Sequence, residues 1–265
     1  MTREQYMRSL SHLRDQVVQL SSMVDKAIAR STDALKNQDI ELAQQVVSAD
    51  HDINELRWGL ESEALAVIAM QAPMAGDLRQ IVAGLHIISE LERMGDHAAG
   101  NAKIALLTAD EPPLKPLVDI PRMSSVARSM LSSAIDAFIT SDVELARKTM
   151  ARDDEIDQLY NQVYRELLTF MMEDQRTINR ATHLLGCAQS GAHWGPNGKH
   201  LRVRGLFRDG EHCRGVHSGL AQQSLQDRAH FFDLQRRLEQ ELTSCIGDGI
   251  ERDLPRACRR LRSPA

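Results

Sequence analysis

The sequence predicts an all-α protein of two tandem antiparallel three-helix bundles, the second incomplete, followed by an irregular C-terminal tail. Three observations carry this expectation. A stretch recurs at an offset of 103 residues, so that Asp33, Asp39, Glu41, Leu42, Ala43, Asp50, Ile53 and Leu56 fall on Asp136, Asp142, Glu144, Leu145, Ala146, Asp153, Ile156 and Leu159. A period this long exceeds a solenoid unit and indicates two copies of one small domain. Apolar residues recur at spacings of three and four in both copies, the mark of helices that each bury one stripe. No alternating β-branched segment of useful length precedes Gly186.

The first helix spans Tyr6 to Leu35, where Leu10, Leu13, Val17, Leu20, Val24, Ala27, Ser31 and Leu35 form one stripe. Asp39 caps the second, because its carboxylate accepts from amides that have no intrahelical partner. That helix runs through Ile40, Ala43, Val47, Ile53, Leu56, Leu60 and Val67 to about Ala72, where Pro73 ends it. The third covers Ala75 to Leu107, with Leu78, Ile81, Leu85, Ile88, Leu91, Met94, Ala98 and Ala102 on its stripe. Glu111-Pro112-Pro113-Leu114-Lys115-Pro116 cannot stay helical and reads as a linker.

The second copy follows the same plan. One helix covers about Pro121 to Thr140, a second runs from the Asp142 cap to Glu173, and a third starts near Gln175 and is lost after Leu185. Short connections make sequential helices antiparallel neighbours. The expected units are a first bundle over 1–110, a linker over 111–118, a truncated second bundle over 119–186 and an aberrant tail over 187–265. A chain of 265 residues can bury one large core or two modest ones, and the repeat favours two.

Composition changes at the end of the second copy. All four cysteines (Cys187, Cys213, Cys245 and Cys258) and six of the ten histidines, counted from His183, lie there. The stretch from Cys187 holds 13 Lys and Arg against 9 Asp and Glu, which leaves 19 against 28 in the preceding body. An acidic body argues against nucleic acid as a partner, since phosphate neutralisation needs clustered cations. The N-terminus lacks the apolar segment of a signal peptide. The longest apolar run, Ala64 to Met70, is far short of the roughly 20 residues that a membrane span needs. A soluble, cytosolic protein without membrane insertion is expected.

Carboxylates supply the candidate chemistry. Glu92 and Asp96 stand four apart on the third helix, where their mutual repulsion costs roughly 0.2–0.5 kcal/mol. A hard or borderline metal ion would reverse that cost, whereas a solvated face with Arg93 as local counterion accounts for the same spacing. Asp50 and Asn54 form another four-spaced oxygen pair on the adjacent helix, with Asp52 and Glu55 nearby. Asp77 and Arg79 follow Pro73 as first-turn residues, the acid favoured by the helix dipole, with a role in the site as the alternative. No Glu-x-x-His, P-loop, dinucleotide fingerprint or G-x-S-x-G occurs, which weakens the enzyme classes built on them. The tail cysteines and histidines show no C-x-x-C or H-x-x-x-H zinc spacing.

Asp50-x-x-x-Asn54, Pro73-x-x-x-Asp77-Leu78-Arg79 and Glu90-Leu91-Glu92-Arg93-Met94-Gly95-Asp96, set on a duplicated bundle, resemble the PhoU family of phosphate-specific transport accessory proteins. The resemblance covers about Met1 to Leu185. It implies a cytoplasmic, usually dimeric, non-enzymatic negative regulator of phosphate uptake and of the Pho regulon. The implied partners are the phosphate ABC transporter ATPase and a sensor histidine kinase. Iron or zinc bound by acidic motifs, one set per bundle, is also implied. Carried over, Glu92 and Asp96 become ligands, Asp50 and Asn54 helpers, and Arg93 an organiser.

The chain departs from that pattern on the sixth helix, where Gly191-Ala192-His193-Trp194-Gly195-Pro196 replaces the expected acidic motif. Codons read from their second base, starting at Cys187, permit Val-His-Asn-Leu-Glu-Arg-Ile-Gly-Asp. A one-base frame change near Gly186 is therefore expected, leaving helix six short, the groove beside helices four and five open and the second metal set missing. Leu225 to Leu242 is loosely periodic and reads as a tail helix. Two other functions remain in view, a carboxylate-ligated metal enzyme in a helical bundle and a metal-free helical adaptor.

Overall fold

The computed structural model describes residues 3–73 and 75–193; the expected helix over 225–242 and the rest of the tail lie outside them. Among the described residues seven α-helices follow in order: α1 Arg3–Asn37, α2 Ile40–Gln71, α3 Ala75–Leu107, α4 Asp119–Thr140, α5 Val143–Ala151, α6 Asp153–Glu173 and α7 Ile178–His193, with a 3₁₀ turn at Gln175–Thr177 before α7. No strand occurs among the described residues. None of these helices is long and apolar enough to cross a membrane.

The repeat is visible in backbone geometry as well as in sequence. Gln38 and Ser141 both adopt positive φ, 53° and 56°. The next residues, Asp39 and Asp142, are extended with nearly identical angles, and each carboxylate accepts from the amide three residues on, Leu42 N at 2.9 Å and Leu145 N at 3.0 Å. Each cap amide donates back into the preceding helix, Asp39 N to Ala34 O and Asp142 N to Ala137 O. Such caps stabilise a helix end by about 1 kcal/mol each.

Both helices expected around the second copy differ in extent. The helix expected from Asp142 to Glu173 is broken at Arg152 into α5 and α6. The equivalent position in α2 is Ala49, a strong helix former, whereas Arg152 is followed by Asp153, Asp154 and Glu155, which favour the positive start of a new helix. The helix expected to fail after Leu185 continues to His193 and buries Cys187, Ala188 and Gly191. Small side chains there pack closely: a Cβ at Gly186 would lie 3.5 Å from Ile104 Cδ1. α7 lies against α3, α4 and α6, so the groove expected to stand open is covered as far as His193.

The two copies do not have separate cores. Leu20, Ile28, Ile88 and Leu91 of the first belong to one buried cluster with Met123, Met130, Ile156 and Leu167 of the second. The contacts responsible are α1 against α4 and α3 against α7. Like helices of the two copies therefore meet, and each of α1 and α3 buries residues on two sides. Arg128 on α4 donates through Nε and Nη2 to both carboxylate oxygens of Asp25 on α1, at 2.7 and 2.8 Å. At the α6–α7 end, Lys115 pairs with Asp119 and Glu166, and Arg180 pairs with Glu111. These bonds tie the connection over 108–118 to the second copy.

Candidate metal centre

The motif on α3 is built around a glycine. A Cβ at Gly95 would meet Ile53 Cγ2 at 3.2 Å and Cδ1 at 3.4 Å, with Asp50 Oδ1 3.9 Å away. Glycine at this position lets α2 approach α3 more closely than a larger residue would. Glu92 and Asp96 flank Gly95 in sequence, so the crossing brings Asp50 to the part of α3 that carries both acids. Glu92 is half-buried and Asp96 exposed.

Asp50 has an unbalanced environment. Its Oδ2 accepts from Asn54 Nδ2 at 3.3 Å, while Oδ1 is buried and has no hydrogen-bond partner. Burial raises its pKa, and Lys103 and the Asn54 bond oppose that rise. An orphaned carboxylate oxygen is costly unless something cationic or protic meets it, and this donor fits a metal on oxygen ligands. The wider fit is incomplete: among the described residues, no three His, Cys, Asp or Glu side chains gather closely enough to hold an ion. The acids thus form an oxygen-bearing face across two helices rather than a closed cage.

Arg93 is half-buried beside them and acts on two neighbours. Burial pushes Glu90 up to about 7, with Glu92 adding to the rise and Arg93 opposing it. Burial also drives His97 down to about 3, helped by His193 and Arg93. Asp77 and Arg79 are exposed in the first turn of α3. Fifteen residues separate Asp77 from Glu92, about 22 Å along the helix, so the fold does not bring that pair to Gly95.

Sequence reasoning missed one set of acids that its own offset contained. Adding 103 to Asp50 and Asn54 gives Asp153 and Asp157, one turn apart at the start of α6. Burial pushes Asp153 up to about 6, and Asp157 and Asp154 add to the rise. The second copy therefore keeps the acids of its middle helix although the motif of its last helix is not found among the described residues. Glu90 and the His97–His193 ring pair were also passed over. His193 gives no sequence signal, because only the fold sets it beside α3.

The arrangement defines a class: an internally duplicated all-helical protein whose copies pack through like helices, with an acidic helix face on the leading copy. A family model described as "PhoU domain" matches residues 17–105 and 120–192, and the chain belongs to that family. It is 42% identical over 177 residues to a protein of Aquifex aeolicus named "Phosphate-specific transport system accessory protein PhoU homolog", covering 67% of this chain and 80% of that one. The crystal structure of PhoU from Pseudomonas aeruginosa is similar at a TM-score of 0.70 and 29% identity, over 76% of this chain and 95% of that one. The phosphate transport system regulatory protein PhoU from Streptococcus pneumoniae is similar at a TM-score of 0.66 and 27% identity, over 72% and 89%.

Proposed function

We propose that this chain is a non-enzymatic accessory regulator of phosphate uptake, which restrains transport and the Pho regulon when phosphate is plentiful. It acts in the cytoplasm as a homodimer, through contacts with the ATPase of the phosphate ABC transporter and with a sensor histidine kinase. The observation that carries this reading is the match of both helical copies to one family whose relatives bear the accessory-protein name.

Glu92, Asp96 and Asp50, with Asn54 as helper, would hold iron or zinc on this reading. The ion would supply positive charge that joins the acids of α2 to those of α3. Arg93 opposes the burial-driven rise of Glu90, and Gly95 sets the closeness of the two helices. The unpartnered Asp50 oxygen beside Gly95 supports this assignment. A second reading, a metal-free helical adaptor, draws support from the absence of any convergent trio of His, Cys, Asp and Glu ligands among the described residues.

The test is complementation of a bacterial strain that lacks its own PhoU, read with a phosphatase reporter in phosphate-rich medium. The chain should restore repression; a soluble, helical product that leaves the reporter fully active defeats the regulatory reading. Metal analysis of the parent and of Glu92→Gln/Asp96→Asn then separates the two versions. A fall in bound iron or zinc from parent to variant supports the metal-bearing regulator, and repression by a parent whose metal content these substitutions leave unchanged supports the adaptor.

A further inference from the structure

The seam between α3 and α7 contains polar atoms with nothing to bond. Its register is fixed by two contacts, Ile104 with Gly186 and His97 with His193, whose ring centroids lie 5.2 Å apart. Residues 97 and 104 are seven apart on α3, and 186 and 193 are seven apart on α7, so the helices run antiparallel along one stripe. Asn101 lies between His97 and Ile104 on that stripe and is therefore enclosed in the seam. It is fully buried, and neither its Nδ2 nor its Oδ1 has a hydrogen-bond partner. The buried Nε2 of His97 has none either.

Orphaned polar atoms of this kind are costly and call for a guest, either water or an ion. The facing stretch of α7, Gly186 to Ala192, has small side chains apart from Gln189, which is exposed.

The imidazoles favour an ion. His193 Nδ1 lies 2.7 Å from Gln189 O; a carbonyl oxygen only accepts, so Nδ1 carries the proton and a neutral ring keeps its lone pair on Nε2. An N–H···O=C bond of this type is how proteins orient a metal-bound imidazole. The ring separation also fits. With a Zn–N bond of about 2.0–2.1 Å and roughly 1.2 Å from ring centre to nitrogen, a tetrahedral angle at a shared ion sets the centroids about 5.2 Å apart.

We infer that His97 Nε2, His193 Nε2 and Asn101 Oδ1 form a site for one divalent ion of the zinc class, with water in the fourth position, separate from the carboxylate face at Gly95. Imidazole nitrogen selects such late first-row ions over magnesium or calcium. The third ligand is an amide oxygen, so no trio of His, Cys, Asp and Glu is needed. The site goes beyond the regulatory reading and does not depend on it.

The test uses the full chain with Cys213, Cys245 and Cys258 replaced by serine, which removes competing thiols. Zn²⁺ alone is titrated by calorimetry, and Co²⁺ alone is followed by its visible absorption. One equivalent should bind at this site, beside any held by the carboxylate face, with the intense bands of tetrahedral cobalt. Outer-shell partners alone are worth 10–100-fold in metal affinity, so His193→Ala should weaken binding by more than about tenfold. Glu92→Gln/Asp96→Asn should retain this equivalent. His193→Cys, which keeps a ligand at the last described turn of α7, should restore cobalt binding with a new sulfur charge-transfer band, and circular dichroism verifies that each variant is folded. Zn²⁺ binding unchanged by His193→Ala, binding lost only with Glu92→Gln/Asp96→Asn, or no binding by the parent would each overturn the inference and leave the seam to water.

Discussion

Arg128 and Asp25 stand 103 residues apart, the offset that relates the two copies, and they bind each other through two parallel hydrogen bonds at 2.7 and 2.8 Å. Equivalent positions of α1 and α4 thus meet face to face, as they would across the axis of a symmetric dimer. In such a dimer identical residues would oppose one another, so opposite charges at this position reflect divergence of the copies. The pair is partly exposed and is worth about 1 kcal/mol. Arg128→Asp, which sets two carboxylates together, should lower the midpoint of urea unfolding. Asp25→Arg/Arg128→Asp should recover most of the loss, and a double mutant no more stable than Arg128→Asp would show that the pairing contributes nothing.

Gly95 and Gly100 should respond oppositely to alanine. A methyl at Gly95 would press on Ile53 at 3.2 Å, whereas nothing lies within 4 Å of the same position at Gly100. Overpacking at the first costs about 1–3 kcal/mol; loss of glycine freedom at the second gains about 0.5–1 kcal/mol. Denaturation midpoints of Gly95→Ala and Gly100→Ala should therefore move in opposite directions, and a shared direction would refute the close approach at Asp50.

Stability should depend on pH with two opposing limbs. His97 titrates near 3 in the fold against about 6.5 when unfolded, so between those values the unfolded chain holds more protons and stability falls as pH is lowered. Glu90 titrates near 7 against 4.5. There the fold holds the extra proton, and stability falls as pH rises from 4.5 through 7. Asp153, near 6 in the fold, adds to this second limb. In unfolding measured across pH, Glu90→Gln should flatten the upper limb and leave the acid limb, while His97→Gln should do the reverse.

Cys187 should resist thiol reagents. It is fully buried and burial raises its pKa, which suppresses the reactive thiolate. With the three tail cysteines replaced by serine, labelling at pH 8 should proceed only as fast as α7 opens. Labelling at the rate of a free thiol would show that α7 does not hold its place against α3.

Legibility in the sequence tracked how local the causal chemistry was. Asp39 and Asp142 were readable as caps because a cap acts within three residues, and the 103 offset exposed the duplication because local patterns repeat literally. Gly95, Asp50 and Glu92 were readable as a motif, yet the close crossing that gives Gly95 its purpose was not. Arg152 concealed a break, since the acids after it suit both the middle of a long helix face and the start of a new helix. Asn101 and His193 gave no signal: an asparagine on an apolar stripe becomes unusual only once the opposite helix offers it nothing. The single core was likewise hidden, because one stripe per helix does not reveal that α1 and α3 bury two.

That second buried side governs what the leading copy would do alone. Freed of its twin, residues 1–110 would expose the flanks of α1 and α3 as bare apolar strips, with Asp25 left without its arginine. Such a fragment has a ready remedy in another molecule of itself, docked as the trailing copy docks now, except that aspartate would face aspartate at the axis. The half-length chain should consequently associate in pairs, more tightly once Asp25 is neutralised, and the covalent duplication can be read as a once-separate partnership drawn into a single polypeptide.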